Sequence, residues 1–232
     1  MNKQLLLDSV ALSKKMYLVI ILGVLLSLAE SLIARYSPLA SNIIYIFDVG
    51  YYLSIPIYLS RALEGKNTRL IELLKILWAT TKKSFWPTLM LGLSIVVVTF
   101  VLFFVAMRVF GVYEFQEFLK NPQNIYGWTL PSLTIQLIIS IIFFLSATLP
   151  IYFSIKKYGL IKSYFESAKF SIKNFKFFFV VWILTTPNLL LARIIIPYTS
   201  NIIISTIYTI YFSIFIILIN SVYFLYFQKS EK

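Results

Sequence analysis

The chain of 232 residues contains no cysteine and no histidine. The first absence excludes disulfides, thiolate metal sites and cysteine nucleophiles. The second excludes imidazole ligands and serine–histidine hydrolytic systems. Acidic groups are scarce as well: 9 Asp and Glu stand against 21 Lys and Arg, a formal net charge of +12. With charged residues at only 13%, few groups remain for acid–base chemistry. There is no Gly-rich phosphate loop, zinc motif or kinase pattern. Glu114 and Glu117, the one close pair of carboxylates in a loop, read as a solvated face. These absences point to a chain that is not an enzyme and uses no metal or cofactor.

Apolar side chains are abundant. Hydrophobic residues make up 59% of the chain, aromatic residues 18%, and the mean hydropathy is +0.85, outside the range of soluble domains. Continuous apolar runs at 16–34, 39–60, 85–110, 132–155, 177–196 and 202–227 each hold about 20 residues, enough as helices to cross ~30 Å of hydrocarbon. The runs do not alternate, which favours helices over a barrel. The expectation is an all-α polytopic membrane protein with six transmembrane helices. Lys14-Lys15 ahead of Tyr17–Ala29 has the form of a signal peptide, but the segment fits an internal repeat and is read as a retained first span.

That repeat is direct. Pro56-Ile57-Tyr58-Leu59-Ser60, then Gly65, Glu72 and Lys75, matches Pro150-Ile151-Tyr152-Phe153-Ser154, then Gly159, Glu166 and Lys169, at a constant offset. Pro38-x-x-Ser41-Asn42-Ile43-Ile44 matches Pro197-x-x-Ser200-Asn201-Ile202-Ile203, and Asp8-Ser9 with Ser13 echoes Glu166-Ser167 with Ser171. Self-similarity of this kind sets architecture before other signals do. It predicts one membrane domain of three units, about 1–66, 67–157 and 158–232, each an amphipathic interfacial helix followed by a hairpin of two spans. Pro56 and Pro150 are expected to bend their helices near the inner ends. The lack of GxxxG signals no close helix pair.

The basic residues follow this layout. With both termini cytoplasmic, 17 of the 21 fall on inner segments and only Arg35, Arg108, Lys120 and Arg193 on the outer side, as the positive-inside rule requires. That distribution accounts for the charge without nucleic acid and places the chain in the cell membrane. In the third unit Lys162, Glu166, Lys169, Lys173 and Lys176 recur at helical spacing, opposed by Ile161, Tyr164, Phe165, Ala168, Ile172 and Phe175. In the second unit Arg69, Glu72 and Lys75 do the same beside Leu70, Ile71, Leu73, Leu74, Leu77 and Trp78. Such helices lie in a membrane interface, lysines at the phosphates and rings in the acyl boundary. Membrane lipids are the implied partners. Other membrane or cytoplasmic subunits docking on the same stripes are the alternative.

A few polar groups fall at membrane depth, where they are functional candidates. Asp48 comes about halfway along the second run, and burial without a partner would keep it protonated. Glu30, Arg193 and Arg108 share one depth near the outer side and could form an ion pair, or the arginines could snorkel. Asn188 follows Pro187 and could line a kink. Asp48 with proline-broken helices is the feature a transporter or channel would use.

The order of amphipathic helix, span and span, with Gly159-x6-Glu166-x2-Lys169 leading into Asn174-Phe175-Lys176-Phe177, resembles the six-helix membrane domain found beside glycerophosphoryl diester phosphodiesterases and in related membrane proteins of unknown function. The resemblance implies an integral-membrane module without catalytic residues of its own. No stretch matches the phosphodiesterase catalytic domain, so lipid hydrolysis does not carry over. The expected function is a non-enzymatic module that organises lipid or a partner complex through basic interfacial helices. A transporter, a channel or the membrane subunit of a transport complex is the second reading.

Overall fold

The structure is a computed structural model that describes residues 3–66, 69–110, 137, 140–195 and 202–231. The loop 111–129, with Glu114, Glu117, Lys120 and Trp128, lies outside the described residues, as do Pro131 and Pro197 and the side chains of 90–104, Arg35 and Arg193. Among the described residues there are eight helices and no strand: α1 (Lys3–Lys14), α2 (Tyr17–Tyr36), α3 (Pro38–Leu63), α4 (Leu70–Phe110), α5 (Leu149–Ser154), α6 (Leu160–Lys173), α7 (Phe175–Ile195) and α8 (Ile202–Ser230).

The all-helical expectation stands, but the six transmembrane helices do not. Among the described residues one helix, Ile203–Ser230, is long and apolar enough to cross a membrane. A second qualifies only if Lys3–Lys14 and Tyr17–Glu30 count as one span bent by 70°. An apolar run is a span only where it continues as one helix: the fourth run breaks at Ala147-Thr148, and α1 and α2 meet at a sharp bend. α3 carries Asp48, Pro56 and Arg61 within its apolar run. Among the described side chains the fourth and fifth runs contribute only short apolar stretches, Ser140–Ser154 and Phe175–Thr185, although α7 itself continues to Ile195. The third run falls largely on 90–104, outside the described side chains.

Two further expectations are corrected. The interfacial helix and third span of the second unit are one continuous α4 of 41 residues with Pro87 inside it. Pro150 does not bend a helix from within. It occupies the first turn of α5, where a missing N–H costs nothing.

The helices pack through small side chains. α1 turns Leu5, Ser9, Leu12 and Ser13 inward, and α6 turns Leu160, Ser163, Ser167 and Ser171 inward. Most of these hydroxyls find a nearby oxygen. Ser9 donates to the Leu5 carbonyl at 2.7 Å, Ser13 to that of Ser9 at 2.7 Å, and Ser163 to that of Gly159 at 2.9 Å. Ser167 reaches the Leu145 carbonyl at 2.8 Å, and Ser171 has no partner among the described residues. Back-bonding to the preceding turn satisfies a hydroxyl locally and leaves a thin edge for close approach. The three amphipathic segments pack alike. The start of α4 lies on α3, α6 on α5, and α1 on α8. The Ser13 and Ser221 hydroxyls meet at 3.1 Å and Asp8 faces Lys229 at 3.8 Å, so the first and last helices are joined.

The core sits among α1, α2, α3 and α8, built on Ile55, Tyr58, Leu59, Leu73, Ile217 and Phe224. Tyr58 crosses from α3 to α4 and donates to the Leu73 carbonyl at 2.9 Å. The α3–α4 crossing depends on Gly50, where a Cβ would stand 2.0 Å from Thr81 Oγ1 and 3.0 Å from Thr81 Cα. Only a bare Cα fits. Gly65, beyond the end of α3, has φ +70°, the left-handed conformation that glycine adopts at a helix end.

Gly50→Ala should therefore push α4 off α3 and destabilise the chain by about 1–3 kcal/mol. Thermal unfolding in detergent, compared with an Ala substitution at Lys66 on the surface, measures this. Equal melting temperatures would mean the crossing is not close-packed.

Candidate functional site

α6 has three faces. The serine edge is buried. The second carries Lys162, Glu166, Lys169 and Lys173, with Lys176 continuing the line into α7, and all but half-buried Glu166 are exposed. The third carries Ile161, Phe165 and Ile172, which are 69%, 60% and 63% exposed. Three large apolar side chains at that exposure form a patch with no protein cover, the mark of an interaction surface. Phe175 and Phe179, stacked at 5.3 Å, extend it into α7. The start of α4 repeats the layout, with Leu70, Ile71, Leu74 and Trp78 exposed near Arg69 and Lys75. α1 does so with Leu6, Leu7 and Val10 beside Lys3 and Lys14.

Acids on these segments are used internally. Glu72 accepts from Arg61 at the end of α3, 3.0 Å away. Glu166 pairs with Lys169 at 3.1 Å, a spacing worth a few tenths of a kcal/mol (~0.2–0.5). Lys162 lies 4.2 Å from the centre of the Tyr158 ring. Lys83 reaches from α4 to α5, over the Phe153 ring at 4.4 Å, and donates to the Phe153 carbonyl at 3.3 Å. Partial burial, then the neighbouring Lys157, lowers the Lys83 amine below its ordinary range.

An open cleft of about 490 Å³ separates α6 from the end of α8. Tyr152, Glu166, Lys169, Phe170, Lys173 and Glu231 line it. The Tyr152 ring is wedged between Tyr158, stacked at 6.1 Å, and Phe227, met edge-on at 5.2 Å. Burial, helped by Glu231 and Glu166, pushes its phenol up to about 12, so at neutral pH it is a donor. Glu231 is held by Lys156. Sequence reasoning placed Glu166, Lys169 and Lys173 on the basic face but missed Tyr152, Phe170 and Glu231. The duplicated Pro-Ile-Tyr was the available signal for Tyr152. Glu231 sits near the chain end with nothing local to mark it. A second hollow, about 350 Å³ between α7 and α8, is walled by Leu191, Ile195, Ile204, Ile207, Tyr208 and Tyr211 and is apolar throughout.

The intramembrane candidates separate. The carboxyls of Glu30 on α2 and Asp48 on α3 come together. Arg108 is exposed, and the Arg193 side chain lies outside the described residues. Two neighbouring carboxyls favour a proton on one of them. Burial first, then Glu30, pushes Asp48 from 3.8 up to about 7. Asn188 donates weakly to the Thr185 carbonyl at 3.4 Å and accepts from the Tyr211 phenol, which ties α7 to α8. Among the described residues no group of acids could hold a metal ion.

No protein-family model, curated protein or solved structure matches the chain.

The shared proton fixes a pH dependence. The folded chain keeps it until about 7, whereas unfolded Asp48 releases it near 3.8. Between those values the native state binds more protons, so stability falls as pH rises through the window. Asp48→Asn keeps a donor towards Glu30 and removes the titration. Its melting temperature should vary less between pH 4.5 and 8, and should exceed that of the wild type at pH 8. Parallel profiles would place the two carboxyls out of contact.

Proposed function

We propose that this protein is a non-enzymatic membrane module. Its α8 crosses the cell membrane, and α6, the start of α4 and α1 lie on the cytoplasmic leaflet and gather anionic lipid. One observation carries this reading: on α6 the exposed patch of Ile161, Phe165 and Ile172 lies beside an exposed line of Lys162, Lys169, Lys173 and Lys176. An apolar face bordered by lysines is the surface a helix presents when its rings enter the acyl boundary and its ammonium groups reach phosphates. Each basic group near such a surface adds roughly 1 kcal/mol at physiological salt. The joined ends of the chain support a common side for both termini, since Asp8 on α1 meets Lys229 on α8. The serine edges support the orientation, because they hold α1 and α6 to the bundle by their narrow side and free the broad apolar side.

The Glu30–Asp48 contact favours a second reading, in which a proton held between α2 and α3 couples to transport. Proteoliposome flux that keeps its pH dependence in Asp48→Asn would eliminate it.

For the leading reading, a variant with Lys162, Lys169, Lys173 and Lys176 all changed to Glu should bind vesicles containing phosphatidylglycerol at least 100-fold more weakly, since about 1 kcal/mol per lysine is lost and repulsion added. Binding to neutral phosphatidylcholine vesicles should change little. Co-sedimentation at two salt concentrations measures both. Unchanged binding to the anionic vesicles would end the reading.

A further inference from the structure

Tyr58 and Tyr152 occupy the same place in the duplicated Pro-Ile-Tyr stretch, and both are buried. Their phenols meet different fates. Tyr58 donates to the Leu73 carbonyl and holds α4 against α3. The position matching Leu73 is Ser167, whose hydroxyl is taken by Thr148 and the Leu145 carbonyl. Tyr152 instead stacks among Tyr158, Phe170 and Phe227. Its phenol has no hydrogen-bond partner among the described residues, and although the side chain is 8% exposed its oxygen is not sealed from solvent. It stands on the wall of the α6–α8 cleft, where its O–H is free to donate to a bound acceptor.

The charges around it are unequal. Glu166 is matched by Lys169 and Glu231 by Lys156. Lys173 also lines the cleft, and among the described residues it has no carboxylate partner. One ammonium and one phenol donor are thus left over, the complement of a singly charged oxyanion. The basic line that borders the cleft also borders the exposed apolar patch of α6, so an amphiphile can reach both.

We infer that this cleft binds the phosphate of a single phospholipid headgroup, with Tyr152 and Lys173 as its donors. This rests on the membrane reading above and adds one discrete site to a diffuse basic surface. The two Glu residues oppose a doubly charged phosphate and leave room for the single charge of a lipid phosphodiester.

Native mass spectrometry of the full chain released from maltoside detergent, titrated with phosphatidylglycerol, tests the site. The wild type should fill one adduct before others appear. Tyr152→Phe, which keeps the ring packing, should weaken that adduct about fivefold, and Lys173→Gln about tenfold. Lys66→Gln, outside the cleft, should leave it unchanged. Both cleft variants should still co-sediment with anionic vesicles. Absence of a discrete first adduct, or equal occupancy in both variants and the wild type, would overturn the site while vesicle binding separately judges the membrane reading. Displacement of the lipid by inorganic phosphate at equal concentration would overturn its assignment to a lipid.

Discussion

Everything outward-facing in this molecule depends on which edge the amphipathic helices turn inward. Helices normally bury their largest side chains, because apolar area removed from water is the main favourable term. Here α6 buries Ser163, Ser167 and Ser171, and α1 buries Ser9 and Ser13, beside a few leucines. All of these hydroxyls but that of Ser171 reach an oxygen, so burial of the serine edge costs little. Leu6, Leu7, Trp78, Phe165 and Ile172 are left outside as a consequence. In water that arrangement carries a penalty, and a lipid boundary removes it.

The cleft arises from the same choice. Once α6 sits on its serine edge, its basic face looks along the end of α8. Tyr152 then stands among rings instead of reaching a helix carbonyl as Tyr58 does. An identical tripeptide therefore serves as a brace in one place and as the floor of an opening in the other. The difference lies in what each tyrosine meets: Tyr58 reaches the Leu73 carbonyl, whereas Tyr152 packs among Tyr158, Phe170 and Phe227.

Much of this was legible in the sequence, and the gaps have physical causes. Helical class, the lysine spacing from Lys162 to Lys176 and the duplicated tyrosines could be read directly. The span count could not, because it depends on whether an apolar run continues as one unbroken helix, and neither the break at Ala147-Thr148 nor the bend between α1 and α2 is marked by composition. Ser163, Ser167 and Ser171 recur every fourth residue, yet small polar side chains do not by themselves mark an inward face. Gly50 gave no warning, since the residue it must clear, Thr81, is remote in sequence. Glu30 comes beside Asp48 because α2 packs on α3, a pairing of helices that local pattern does not encode.

The seam between the first and last helices has a consequence for folding. Ser13 and Ser221 lie 208 positions apart, yet their hydroxyls touch, and Asp8 faces Lys229. Such a contact closes a long loop, whose entropy must be met before the contact repays it. The docking of α1 on α8 therefore comes late, after the intervening helices have brought α8 into place.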